Sequence, residues 1–164
     1  MHQNDTHFLQ KRLEAAEGYL LLDMDTEAWR ELEGICPDDL PIPESAGLYL
    51  MLVLELAVRA ENWELGARTA GVLAELMPAH DSAFVHGAYC LHELGQTDKA
   101  REMLLAAPES VRAEPVFFYN LGCYHAVLGE RVQAIACLNE AFNRDPALKS
   151  KARSDPDLRG LGAF

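Results

Sequence analysis

The chain has no Cys-x-x-Cys pair, no glycine-rich phosphate loop and no apolar run longer than the seven residues from Leu48 to Leu54. A run that short falls far below the roughly 20 residues of a membrane-spanning helix. Met1 to His7 lack the basic start and apolar core of a secretory signal, so none is expected. Cationic residues are scarce: Lys and Arg number 14 against 26 Asp and Glu, giving a formal net charge of −12. Such a surface repels nucleic acid and anionic lipid, which excludes both as expected partners, and it favours basic ones. Cys36, Cys90, Cys123 and Cys137 stand alone in sequence, as reduced, small apolar side chains of a cytoplasmic protein would. No Ser-His-Asp set or pair of catalytic carboxylates can be assembled, so the chain is not expected to be an enzyme. Alternating strand patterns of useful length are missing too.

What is present is helical periodicity. His7 to Leu22 carries Phe8, Leu9, Leu13, Ala16, Tyr19 and Leu20 at helical spacing. Asp25 or Thr26 can cap a shorter helix over Glu27 to Ile35. Pro37, Pro41 and Pro43 then break the pattern, a loop insertion too short to separate domains. Further helices are predicted over Ser45–Ala60, Trp63–Met77 with Asn62 as N-cap, Asp81–Leu94 capped by Asp81, and Thr97–Ala107 ahead of Pro108. Glu109 to Glu114 reads as a polar connection. Pro115 to Pro146 holds two more helices around Gly129, and residues 147–164 one short piece.

These helices repeat. Gly95 and Gly129, Ala100 and Ala134, Leu104 and Leu138, and Ala107 and Ala141 are each 34 residues apart, as are Ala88 and Gly122. Gly66, Ala70 and Leu73 precede Ala100, Leu104 and Ala107 by the same 34. Ala28, Leu32 and Ile35 lie 38 ahead of that set, the extra four falling in the proline-rich link. A fixed period of this length marks an array of helix pairs, none of which can bury its apolar face alone.

Leu121-Gly122, Leu128-Gly129-Glu130, Ala134, Leu138, Ala141 and Pro146 resemble the tetratricopeptide repeat (TPR) family, with weaker copies around Gly95 and Gly66. The resemblance implies an all-α solenoid, a superhelix of four helix pairs plus a C-terminal capping helix. One domain over residues 7–164 is expected, with repeats near 9–42, 47–80, 81–114 and 115–148, a cap at 149–164 and an unstructured stretch at 1–6. Leu148, Leu158 and Leu161 would face inward from the cap, and Pro108 should shorten its helix.

Family geometry also implies a concave face made by the first helix of each pair. The first repeat would supply Leu13, Glu17, Leu20 and Leu21; the second Leu48, Met51, Glu55, Val58 and Arg59. The third would supply Val85, Tyr89, His92 and Glu93; the fourth Val116, Tyr119, Cys123 and Val127. An apolar groove of this kind holds a helix or an extended peptide, or is filled by the C-terminal tail or a second copy in a homodimer. Glu17, Glu55 and Glu93 recur every 38 residues and suit a peptide with basic flanks. The carboxylate clamp of co-chaperone members needs clustered Lys, Asn and Arg, and Arg59 alone is suitably placed.

The expected function is a non-catalytic protein-interaction scaffold or adaptor. The alternative is a small acidic chaperone of the type III secretion kind, holding an apolar segment of a client. No cofactor is expected. His86 with Cys90, and Cys123 with His125, suggest a shared metal, but the four are not a converging set, so packing explains them better and an unrecognised enzyme or metal protein is the distant reading. Cys123 lacks a nearby cation to activate it and reads as a small residue in a helix interface. Trp29 and Trp63 begin second helices, where packing within a pair accounts for them.

Overall fold

The computed structural model describes residues 3–40 and 42–162. Its helices are α1 (Gln3–Leu21), α2 (Asp25–Leu32), α3 (Pro43–Arg59), α4 (Trp63–Leu76), α5 (Asp81–Glu93), α6 (Thr97–Leu105), α7 (Glu109–Arg112), α8 (Pro115–Val127), α9 (Arg131–Arg144) and α10 (Leu148–Ser154). Short 3-10 helices occupy Pro37–Asp39 and Pro156–Leu161. Consecutive helices pack as antiparallel pairs, α1 with α2, α3 with α4, α5 with α6 and α8 with α9, and each pair stacks on the next. This is the predicted solenoid.

The boundaries follow local chemistry. Asn62 caps α4 by accepting the Leu65 N–H at 3.2 Å, and Pro43 and Pro115 occupy first turns, where no N–H is needed. α6 has nine residues against 14 in α4 and α9, cut short ahead of Pro108 as expected. Some expectations fail. Met24 and His80, not Asp25 and Asp81, precede α2 and α5, and neither side chain caps. The two carboxylates are drawn into tertiary contacts instead, Asp25 to Arg59 at 3.0 Å and Asp81 to the Ser110 hydroxyl at 2.8 Å. The connection at 109–114 contains the one-turn helix α7, anchored by buried Val111. Of the N-terminal stretch expected to be unstructured, Met1 and His2 lie outside the described residues, as does Pro41 of the proline link; the backbone is helical from Gln3.

All four pairs turn in the same way. Each first helix ends in a left-handed residue, Asp23 (φ 56°), Glu61 (53°), Gly95 (72°) or Gly129 (78°). The next N–H reaches back five residues, Met24 to Tyr19 O, Asn62 to Ala57 O, Gln96 to Leu91 O and Glu130 to His125 O, at 2.8–2.9 Å. This is the Schellman closure, which satisfies carbonyls left open at the helix end. Glycine enters that conformation without a Cβ penalty and the two acidic residues do not.

Within and between pairs, small residues set the separation. A Cβ on Gly122 would lie 2.8 Å from Leu138 Cγ and 3.3 Å from the Ala134 carbonyl oxygen, and one on Gly87 would lie 2.6 Å from Ala70 Cβ. Leu73, Leu104 and Leu138 are fully buried, Leu138 against Gly122 of its own pair. The core forms two clusters that share α3: Leu52, Val53 and Leu56 face α1 and α2, while Leu50 and Leu54 face the rest of the array.

Two substitutions test these constraints. Glu61→Gly should raise the unfolding free energy by about 0.5–1 kcal/mol by relieving the left-handed turn. Gly122→Val should lower it by about 2–3 kcal/mol through overpacking against Leu138. Urea titrations of both variants beside the parent chain measure the two effects, and equal midpoints for Glu61→Gly and the parent would show that the turn is unstrained.

Candidate functional site

The inner face of the solenoid is built by α1, α3, α5 and α8. Two cavities lie along it and meet at His86. The N-terminal one, about 390 Å³, is lined by Glu17, Leu20 and Leu21 of α1, Leu48, Met51, Glu55 and Arg59 of α3, and Ser82 and His86 of α5. The C-terminal one, about 750 Å³, takes Val58 from α3, Val85, Tyr89, His92 and Glu93 from α5, and Val116, Tyr119, Cys123 and Val127 from α8. Leu13 departs from this pattern. It is fully buried, in one stripe with Ala16 and Leu20 that packs against Leu32 of α2 and Leu52 and Leu56 of α3.

Charge differs along the face. Arg59, the groove's expected cation, is consumed by carboxylates: its guanidinium lies 3.0 Å from Asp23, 3.0 Å from Asp25 and 2.9 Å from Glu55. Glu17 has no such partner among the described residues, so the N-terminal cavity is apolar with an acidic surplus. Leu21, at 82% exposure, projects beside it. Further along, Tyr89 packs edge-on against Trp63 with ring centroids 5.5 Å apart, so Trp63 reaches the next repeat rather than serving only its own pair. Burial, helped by the charge on Glu93, pushes the Tyr89 hydroxyl up to about 12.

The C-terminal segment folds back over the α5–α8 end of the face. Asp155 accepts hydrogen bonds from the Tyr119 hydroxyl at 2.6 Å and from the Asp157 N–H at 3.1 Å, and lies 3.7 Å from the Cys123 thiol. His92 Nε2 is 2.9 Å from Asp157, and its Nδ1 is 3.0 Å from the Thr97 hydroxyl. Lys151 sits over the Tyr119 ring at 4.7 Å. Arg131 donates to the carbonyls of Gly160 and Leu161 at 3.0 and 2.7 Å. Leu158 is buried, and Leu148 and Leu161 pack against the core, each from the position expected of the cap.

Covering changes the chemistry of this end. Tyr119 and Cys123 face the groove but are buried beneath the segment, which leaves Val85, Tyr89, Val116 and Val127 as its accessible apolar surface. Cys123 belongs to the main core cluster and has the segment as a further neighbour. Burial, then the charges on Asp155 and Asp157, push its thiol up, so it is held protonated and is a poor nucleophile. The hydrogen bond to Asp157 raises the His92 imidazole above its ordinary value. Burial likewise raises the Tyr124 hydroxyl, with the Cys123 and Asp157 charges adding to it. That hydroxyl is buried and has no hydrogen-bond partner among the described residues.

The residues weighed from sequence as a metal set are dispersed. Cys90 is fully buried beside Gly66, His86 borders the N-terminal cavity, and His125 bonds Glu130, which also holds Arg101 at 2.9 Å. A different trio converges: the ligand atoms of Cys123, Asp155 and Asp157 lie within 4.8 Å of one another. Sequence reasoning missed the two aspartates. The available signal was Asp155-Pro156-Asp157, a turn-forming sequence whose first carboxylate caps the following 3-10 turn.

No family model matches the chain, and no curated protein matches it. Among solved structures it is similar to the crystal structure of YrrB, described as a TPR protein with an unusual peptide-binding site. The TM-score is 0.71 at 22% identity, covering 87% of this chain and 74% of that one. The fold is that of a TPR protein. No helix among the described residues is long and apolar enough to cross a membrane.

The docked segment has a direct test. Tyr119→Phe deletes a buried hydrogen bond to a carboxylate, which should weaken docking by about 1.5–3 kcal/mol. Trypsin should then cut faster after Lys151, Arg153 and Arg159 while the repeats stay resistant; an unchanged cleavage rate would show that the segment is held without Tyr119.

Proposed function

We propose that the chain is a non-catalytic scaffold that binds an extended or helical peptide from another protein in the N-terminal half of its concave face. The observation that carries this reading is the open cavity between α1, α3 and α5, where Leu20, Leu21, Leu48 and Met51 meet a surplus of carboxylate. Apolar surface left open at the inner face of a solenoid is stabilised by an apolar ligand side chain. Glu17, and Asp23, Asp25 and Glu55 clustered around the single Arg59, select a ligand with basic residues beside that apolar anchor. YrrB, as a TPR protein with a peptide-binding site, supports the reading by analogy of fold. A chaperone that holds an apolar segment of a client is a finer form of the same activity, and its ligand would obey the same chemistry.

A random peptide library displayed on phage provides the test. Selected sequences should combine one or two large apolar residues with Lys or Arg. Their affinity should fall about tenfold or more with Leu21→Ser or Glu17→Lys, both positions outside the core. Selection of acidic peptides, or affinities indifferent to both substitutions, would sink the proposal. Self-association that is lost in Leu21→Ser would instead assign the groove to a second copy.

A further inference from the structure

We propose that the pocket where the C-terminal segment meets α5 and α8 is a divalent-metal site of the zinc type, with the Cys123 thiolate and the carboxylates of Asp155 and Asp157 as protein ligands and a water in the fourth position. The donors come from α8 and from the C-terminal segment, 32 residues further along the chain, and they converge on one point of the inner face. The Cys123, Asp155 and Asp157 atoms are mutually within 4.8 Å, and His92 Nε2 is 2.9 Å from Asp157. One sulfur and two carboxylate oxygens, with a water in the open fourth position, form a set that suits a tetrahedral, borderline-soft ion. The thiolate disfavours magnesium and calcium, which require oxygen ligands.

The surroundings fit a metal better than they fit a bare latch. His92 Nε2 donates to the Asp157 carboxylate at 2.9 Å and its Nδ1 has the Thr97 hydroxyl at 3.0 Å, so an anchored imidazole is the outer partner that orients one ligand. The Tyr119 hydroxyl donates to Asp155 at 2.6 Å, so one carboxylate is already oriented. An independent observation points the same way. The Tyr124 hydroxyl, on a residue 2% exposed that lines this cavity, has no hydrogen-bond partner among the described residues. A buried hydroxyl without a hydrogen bond is costly, and a water carried by the ion would supply one. Two carboxylates meet here under partial burial, and Lys151 is the cation that lines the cavity with them. On binding, the Cys123 thiol releases its proton to solvent and the ion joins α8 to the segment at one centre, with His92 of α5 holding Asp157 from outside. The proposal is independent of what the N-terminal cavity binds.

The full chain, stripped with a chelator and then dialysed, is titrated with cobalt(II) and afterwards with zinc(II). One equivalent of cobalt should bind and produce a sulfur-to-cobalt charge-transfer band, which zinc displaces stoichiometrically. Cys123→Ser should abolish the band, whereas Cys90→Ser and Cys36→Ser retain it. Asp157→Asn should weaken zinc at least about tenfold. Zinc should also slow amide exchange in residues 150–161 of the parent chain. Failure of the parent chain to take up one equivalent, or a band that survives Cys123→Ser, overturns the proposal, and the first of these needs no variant to fold.

Discussion

Two helices joined by only three residues must run antiparallel in contact, and every higher feature of this molecule depends on how close that contact is. The turns at residues 22–24, 60–62, 94–96 and 128–130 have the same length, each with a left-handed residue at its centre. Gly122 and Gly87 let neighbouring helices approach to a separation that a methyl group would obstruct. Once that spacing is set, the leucines at 73, 104 and 138 are sealed in the core, each pair buries its face against the next, and the first helices form one continuous inner surface. The groove is a by-product of this packing: it lies where the first helices stand side by side and no second helix covers them.

The repeat was legible because helix packing imposes a period on the residues that touch. Ala100 and Ala134, or Leu104 and Leu138, occupy equivalent contacts, so the spacing survives even where other positions drift. The inner face could be read off the same register for Glu17, Met51, Val85 and Tyr119. It misplaced Leu13, because helical spacing fixes a stripe but not which neighbour the stripe meets, and α3 packs over that part of α1. Caps were misassigned at Asp25 and Asp81 for a related reason: a carboxylate at a helix start has competing partners in Arg59 and Ser110 that lie 34 and 29 residues away. The apolar side of the C-terminal segment could be read from Leu148, Leu158 and Leu161, but its polar contacts could not. Asp155 and Asp157 reach Tyr119 and His92 across 36 and 65 residues, once each, and a contact made once leaves no period.

Charge divides the inner face into two unlike halves. Toward α1 the side chains are apolar and acidic, and Arg59 is neutralised by three carboxylates. Toward α8 the polar groups are turned inward on the C-terminal segment, and their hydrogen bonds hold chain to chain. Carboxylates stand open beside the apolar surface of the first half, whereas in the second Val85, Tyr89, Val116 and Val127 stay accessible beside polar groups engaged with the segment. The large net negative charge of the sequence thus has a local meaning, since part of it borders the N-terminal cavity.

The folded-back segment also bears on how long the array can be. In a stack of identical units, every finished end is a template for the next, and a solenoid with two bare ends behaves as a monomer in the polymer chemist's sense. Here α10 rests on α9 and the 3-10 turn rests on α8, so both helices of the last pair are already engaged. The segment therefore acts as a chain terminator, occupying the end of the stack where the first pair of another copy would otherwise add head to tail.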